Sequence, residues 1–382
     1  MEPLSEKKCV MIIAGEASGD LHGSRLATAM RERKKTLFFC GIGGQALKAS
    51  GVRVLVDASE LSVVGITEAF SKIPKLLKGM AVAKKALKKL LPDLLILIDF
   101  PDFNLNVAGF AKKLGIPVLY YISPQIWAWR PGRVKKIGKL VDHLAVILPF
   151  EEDFYKKHKI PVTFVGHPLL DTNLDYEKKV FQKPENDISI IGLFPGSRDQ
   201  EITRHLPIML GAAQILLKRI KNVKFIVSLA PDVKRKIVEE IVNKHKGGVD
   251  LEIVSGHVRK IFEKSRVVIA VSGTVTLESA ISGTPMVIIY KVSPISYWLG
   301  RAMIQVKHIG LVNLIAGKKI VPELLQDQAS PARIANTVFN MLSDAPGLER
   351  LRLELLKIRD TLGGPGASER VADIAVGMLY DA

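Results

Sequence analysis

The stretch Leu94–Asn104, LLILIDFPDFN, constrains this chain more than any other. Its opening apolar run reads as a strand buried on both faces of a parallel sheet, and the acid that follows is delivered to the sheet's carboxyl edge. That edge is where open α/β sheets place their chemistry. Pro101 follows Asp99 and Phe100, so the strand stops there, and the Asp99 carboxylate would sit among apolar neighbours that raise its pKa and favour general-base behaviour. An aspartate here is equally an N-cap for the next helix, and spacing alone does not choose.

Apolar runs alternate with helix-like stretches along both halves, which points to repeated βα units. At 382 residues, against about 150 per domain, two domains are expected, each with its own core. The first runs over 1–170. The pattern changes at Pro161–Asp171, PVTFVGHPLLD, and a polar connection at Tyr176–Asp187 leads into a new α/β series that begins with strand Ile188–Phe194. The second domain is placed at 171–345, and a helical stretch over 346–382 remains for either a return to the first domain or a contact with a second subunit, as in a homodimer. No apolar run reaches the roughly 18 residues a spanning helix needs, and the polar start is no signal peptide, so a cytosolic protein is expected. Cys9 and Cys40 lie in or beside apolar strands and read as buried free thiols, and the histidines show no ligand spacing, so no metal site is expected.

A net charge of +17 implies an anionic partner. Between Ile66 and Leu91, apolar Ile66, Phe70, Ile73, Leu77, Met80, Leu87 and Leu91 recur at helical spacing while Lys75, Lys78, Lys84, Lys85, Lys88 and Lys89 take other faces. Such a basic amphipathic segment suits an anionic membrane surface, although an ordinary surface helix with solvated lysines has the same pattern. Pro74 predicts a short helix, a bend and a longer helix. Aromatic residues make up 6% of the chain and none interleaves with these lysines to stack bases, which argues against nucleic acid.

Three turns carry further signals. Strand Cys9–Ala14 runs into Gly15-Glu16-Ala17-Ser18-Gly19-Asp20, where small residues let a ligand approach the backbone and Glu16 and Asp20 suggest hydroxyl recognition; a second glycine turn, Gly41–Gly44, follows strand Leu37–Cys40. Strand Ile188–Phe194 ends in Pro195-Gly196-Ser197-Arg198, and a helix starting near Asp199 would offer its amino end beside Arg198, a fit for a diphosphate. Strand Arg266–Val271 runs into Ser272-Gly273-Thr274, where Ser272 or Thr274 is expected to cap the helix and Glu278 to lie on the pocket side, able to accept both hydroxyls of a ribose. Each turn alone is also an ordinary strand-to-helix connection.

Taken in order and at these intervals, GEASGD, IDFPDFN, SPQIWAWR, GHPLLD, LFPGSR and SGTVTLES closely resemble the lipid-A-disaccharide synthase family, inverting glycosyltransferases of the GT-B type. The resemblance runs from about Val10 to Gly317 and more loosely beyond. It implies two Rossmann-like domains facing across a cleft, with acceptor chemistry on the first and UDP-sugar binding on the second. It implies a reaction that joins UDP-2,3-diacylglucosamine to 2,3-diacylglucosamine 1-phosphate with loss of UDP, on the cytosolic face of the Gram-negative inner membrane, without a cofactor. By the same resemblance Asp99 is the general base and Arg198 neutralises the leaving diphosphate. Glu278 and Asn313 belong to the nucleotide pocket, although Val312 stands where the family pattern has proline. Glu16, Ser18, Gly19 and Asp20 face the acceptor, and Ile66–Leu91 meets the membrane through Ile66, Phe70, Ile73, Leu77, Met80, Lys75 and Lys78. The aromatic stretch Trp127-Ala128-Trp129-Arg130 is a strong marker whose role stays open. A soluble GT-B enzyme such as a UDP-N-acetylglucosamine 2-epimerase shares the second-domain signals and is the alternative.

Overall fold

The computed structural model describes residues 7–58, 66–129, 131–172, 188–231, 233–293 and 308–380. The chain forms two compact units, Met1–Thr172 together with Leu362–Ala382, and Asn173–Thr361. Only the last helix, Ala367–Tyr380, therefore belongs with the first unit. The helix Ala345–Thr361 groups with the second. The break between them is Gly363-Gly364-Pro365-Gly366, a sequence that cannot continue a helix.

The first unit is a seven-stranded, all-parallel sheet. Its strands are β1 (Cys9–Ala14), β2 (Phe38–Gly43), β3 (Arg53–Asp57), β4 (Leu94–Ile98), β5 (Val118–Tyr121), β6 (His143–Val146) and β7 (Val162–Phe164), in the spatial order β3-β2-β1-β4-β5-β6-β7. Every residue of β4 is buried, and its two faces feed separate apolar clusters, Leu95 and Leu97 on one side and Leu94, Ile96 and Ile98 on the other. That is the physical meaning of an unbroken apolar run: truncating any of these side chains to alanine leaves a cavity worth about 2–5 kcal/mol. Gly41 and Gly43, expected in a turn, lie inside β2, where a side chain at Gly41 would collide with the backbone of Ile12 on β1.

The second unit is a six-stranded parallel sheet of β8 (Ser189–Phe194), β9 (Val223–Leu229), β10 (Leu251–Ser255), β11 (Val267–Val271), β12 (Met286–Tyr290) and β13 (Glu323–Leu325), ordered β10-β9-β8-β11-β12-β13. In each sheet the chain winds outward in one direction from its first strand and then restarts on that strand's other side. The strand order thus reverses between β1 and β4 in the first sheet and between β8 and β11 in the second. Crevices outside the carboxyl ends of strands at such reversals are the ligand positions of doubly wound folds.

The GHPLLD segment docks the terminal helix. Asp171 accepts the amide protons of Gly366, Ala367 and Ser368 at 2.8, 3.0 and 3.2 Å, so its carboxylate caps helix Ala367–Tyr380, and the His167 amide donates to the Leu362 carbonyl at 2.8 Å. Arg33 adds ion pairs to Glu369 and Asp373, both at 2.6 Å.

Pro74 lies inside a single helix, Ile66–Leu90, rather than between two. The side chains of Ile66, Phe70 and Ile73 lie outside the described residues. Leu77 is 64% exposed and Lys75 and Lys78 face solvent, whereas Met80 packs partly against the core beside buried Ala83 and Leu87. Met80 is thus part of the inner face, because positions 76, 80, 83 and 87 form the stripe the helix turns to the sheet. No helix among the described residues is long and apolar enough to cross a membrane.

Candidate active site

At the first reversal, β1 and β4 run side by side with Ala14 opposite Ile98, so the GEASGD turn and Asp99 emerge next to each other. Asp99 and Phe100 both adopt left-handed backbone, at φ 45° and 51°. Two consecutive non-glycine residues in that region cost on the order of 1–2 kcal/mol each, so neighbours must hold them. They do. The Tyr120 hydroxyl and the Asn104 side-chain amide both donate to the Asp99 carbonyl, each at 2.6 Å, and Asn104 also donates to the Ile98 carbonyl at 3.2 Å. The Phe100 ring lies over Gly15 so closely that a Cβ there would come within 2.3 Å of it, which is why the turn begins with glycine.

Helix Pro101–Lys113 takes Phe100, not Asp99, as its N-cap residue and has no side-chain cap, so the capping alternative for Asp99 is not realised. Its carboxylate is pushed up to about 6, first by burial and then by the negative charge of Glu16, against a hydrogen bond from the Phe100 amide. The group is thus largely ionised at neutral pH yet a much better proton acceptor than a solvated aspartate.

Glu16 and Ser18 are exposed at the start of helix Ala17–Arg33, and Gly19 is buried with Ala14 and Ile98 beside it. Asp20 departs from the expectation that it faces the acceptor. Its carboxylate turns inward and accepts the amides of Gly44, Ala46 and Leu47 at 2.6, 2.9 and 3.2 Å, capping the short helix Gln45–Ala49. The three amides engage both carboxylate oxygens and fix the GEASGD turn to the turn after β2.

Beside Asp99, the loop after β5 starts with Ile122, again at positive φ (60°). It is anchored by Glu151, buried at the start of helix Pro149–Lys156, which accepts from Trp127 Nε1 at 3.0 Å, Ser123 Oγ at 3.1 Å and the Leu148 amide at 3.0 Å. Burial pushes Glu151 up to about 7 against those three donors. Trp127 is therefore a buttress of the loop flanking Asp99. The Trp129 side chain and Arg130 lie outside the described residues. Sequence reasoning passed over Tyr120, Asn104 and Glu151. Asn104 stood inside the IDFPDFN motif, and Pro149 with Glu151 two residues later is a helix-start signature.

At the second reversal, β8 ends at Phe194 and the turn Pro195-Gly196-Ser197-Arg198 leads into helix Asp199–Leu217, which has no side-chain cap from Arg198. The Arg198 side chain is 52% exposed. Neighbouring β11 leads to Ser272, Gly273 and helix Thr274–Ile281, whose N-cap residue is Gly273. Neither Ser272 nor Thr274 caps it. The Ser272 hydroxyl donates to the Ile309 carbonyl at 3.3 Å, and the Thr276 hydroxyl donates back to Gly273 at 2.8 Å. Space beside Gly273 is open, and Thr274 is exposed. Glu278 is mostly buried, and burial raises its pKa. The helix after Gly273 thus starts without a side-chain cap near the Glu278 carboxylate, and the turn before helix Asp199–Leu217 presents the Arg198 guanidinium.

Asn313 does not join them. It is fully buried and saturated: its amide donates to the Val321 carbonyl at 2.9 Å and to Glu323 Oε1 at 2.7 Å, while its carbonyl accepts from the Ile320 and Val321 amides. Glu323 in turn accepts the Ile309 and Gly310 amides, both at 3.1 Å. Asn313 positions that loop and has no hydrogen-bonding capacity left for a ligand.

The sequence model of the lipid-A-disaccharide synthetase family matches residues 10–362. The chain is 47% identical to the lipid-A-disaccharide synthase of Syntrophus aciditrophicus over 97% of its own length and 98% of that protein. It is 46% identical to that of Geobacter metallireducens, covering 97% of each. Identity to a Coxiella burnetii synthase is 39%, over 98% of this chain and 99% of that one. Among solved structures, it resembles a UDP-GlcNAc 2-epimerase from Neisseria meningitidis bound to UDP-GlcNAc, at TM-score 0.60 and 12% identity, covering 96% of this chain and 98% of the other. It also resembles the calicheamicin glycosyltransferase CalG4, at TM-score 0.62 and 14% identity over 98% of both. These structural likenesses establish the GT-B fold and nothing finer.

Proposed function

The chain belongs to the lipid-A-disaccharide synthase family, and on that premise we propose that it transfers the sugar of UDP-2,3-diacylglucosamine to the 6-hydroxyl of 2,3-diacylglucosamine 1-phosphate with inversion at carbon one. The observation that carries this reading is the buried, raised-pKa carboxylate of Asp99, clamped at the reversal of the first sheet. In the proposed step Asp99 takes the 6-hydroxyl proton as that oxygen attacks the anomeric carbon. The bond from that carbon to the β-phosphate oxygen breaks, and UDP leaves with its new negative charge held by Arg198 and the backbone amides at the start of helix Asp199–Leu217. Glu278 holds the ribose hydroxyls. Ser272, Gly273 and Thr274 line the nucleotide side, and Glu16, Ser18 and Gly19 line the acceptor side.

Both substrates carry acyl chains, so the enzyme must work at a bilayer. Exposed Leu77 beside Lys75 and Lys78, on a chain of net charge +17, favours peripheral attachment to anionic phospholipid on the cytosolic face of the inner membrane. The epimerase reading has only the shared fold behind it, at 12% identity, against 39–47% to synthases.

The test is UDP release by the purified chain in mixed detergent micelles holding the donor lipid, with and without the acceptor. Acceptor-dependent release with a disaccharide product is expected. Turnover of UDP-N-acetylglucosamine with neither lipid consumed would sink the proposal.

A further inference from the structure

Glu201 sits in the first turn of helix Asp199–Leu217, and its carboxylate reaches back over the turn that precedes the helix. The Ser197 amide donates to Glu201 Oε2 at 2.9 Å, and Arg198 Nη1 approaches Glu201 Oε1 at 3.4 Å. The same side chain fills the space beside Gly196, where a Cβ would meet it at 2.5 Å, on backbone at φ 123° that already favours glycine. An amide and a guanidinium suited to a phosphate group are thus both engaged by a carboxylate of the chain itself.

We propose that Glu201 is a specificity-determining residue of this site, an internal anion that occupies the phosphate-binding turn of the free protein and must be displaced by the incoming diphosphate. The inference rests on the reading of the Arg198 turn as the diphosphate site. Ser197 has one amide proton, and a phosphate oxygen and a carboxylate cannot share it without like charges in contact. The Arg198 contact is long and exposed, hence weak, so a ligand with more charge displaces it. An isolated inorganic anion has nothing further to hold it, whereas a nucleoside diphosphate is also anchored through its ribose at Glu278. Glu201 therefore filters for nucleotide-borne phosphate.

A glutamate at this position is also an ordinary helix cap, and the two roles predict opposite signs when the charge is removed. Glu201→Gln keeps an oxygen that can accept the Ser197 proton, so the cap survives while the competing charge is lost. Calorimetric titration of the full chain with UDP, inorganic pyrophosphate and uridine separates the roles. Glu201→Gln is expected to bind UDP and pyrophosphate tighter by roughly fivefold or more, the size of one removed like charge near a half-exposed site, with uridine unchanged. Glu201→Ala gives the same sign if the glutamine variant does not fold. Anion binding that is unchanged or weaker in the variant, or absent from variant and parent alike, overturns the proposal. A parent that takes no UDP, with pyrophosphate still tightened by Glu201→Gln, would instead break the nucleotide assignment and leave the internal anion standing.

Discussion

The two strand-order reversals are built in opposite ways. At the first, the Asp99–Phe100 turn is over-determined: left-handed at both residues, pinned through its carbonyl by Tyr120 and Asn104, and roofed by a ring that admits only glycine beneath it. At the second, the groups that would meet a ligand are held loosely. Arg198 is half exposed, its contact to Glu201 is long, and Gly273 borders open space. The difference is what the proposed mechanism requires of each end. A general base gains strength from a dry surrounding and a fixed aim, whereas donors for a leaving diphosphate must be reachable when the nucleotide arrives.

The sharpest way to break this contrast is Asp99→Asn, which should lower turnover about a hundred- to ten-thousandfold while UDP binding, measured by calorimetry, stays near the parent value. Equal loss of both would end the base assignment. The substitution should not destabilise the fold. A buried acid whose pKa is raised on folding holds its proton more tightly folded than unfolded, so its contribution to stability falls as pH rises from the ordinary carboxylate range through about 6. The asparagine variant lacks that loss, and its melting temperature at neutral pH should match or exceed the parent's.

Arg198→Ala should cost about a hundredfold in turnover, but here UDP affinity should fall with it, since the same group meets the nucleotide before and during reaction. An Arg198→Ala protein with full UDP affinity would place the diphosphate elsewhere. Asn104→Ala removes one of the two donors on the Asp99 carbonyl and should lower kcat roughly tenfold by loosening the base, with UDP affinity unmoved and a loss of about 1–2 kcal/mol in urea unfolding. The smallest effect is expected from Glu16→Gln. Removing the negative charge that opposes ionisation of Asp99 should move the acid limb of the pH–rate profile to lower pH, by about half a unit if the pair is partly solvent-screened. A shift to higher pH would contradict the electrostatic assignment.

The fold was legible because its signals are local. Strand β1 matches the expected Cys9–Ala14 span, and β4 ends one residue before Asp99 as the apolar run predicts. The places of Asp99 and of the turn before helix Asp199–Leu217 were legible for the same reason: an acid or a turn directly after a buried strand has only one place to go. What escaped was everything decided by side-chain direction. Asp20 points inward to three amides, and the four hydrogen bonds of the Asn313 side chain are all internal. A motif spells out residue types, and the same aspartate or asparagine serves a substrate or a backbone with equal ease. Met80, which the resemblance places at the membrane, joins instead the inward stripe at 76, 83 and 87. The supports of Asp99 lie five and twenty-one residues from it, and only the register of β4 against β5 brings Tyr120 under its carbonyl.

The role of Asp99 as proton acceptor is tested most directly by the pH dependence of acceptor-dependent UDP release. Assayed in mixed micelles from about pH 5 to about pH 8, kcat/KM of the parent should climb with pH and level off above about 6, the value to which burial and Glu16 push this carboxyl. Asp99→Asn should retain only a small residual rate without that limb. If the variant shows the same acid limb as the parent, the proton goes to another group and the central assignment is wrong.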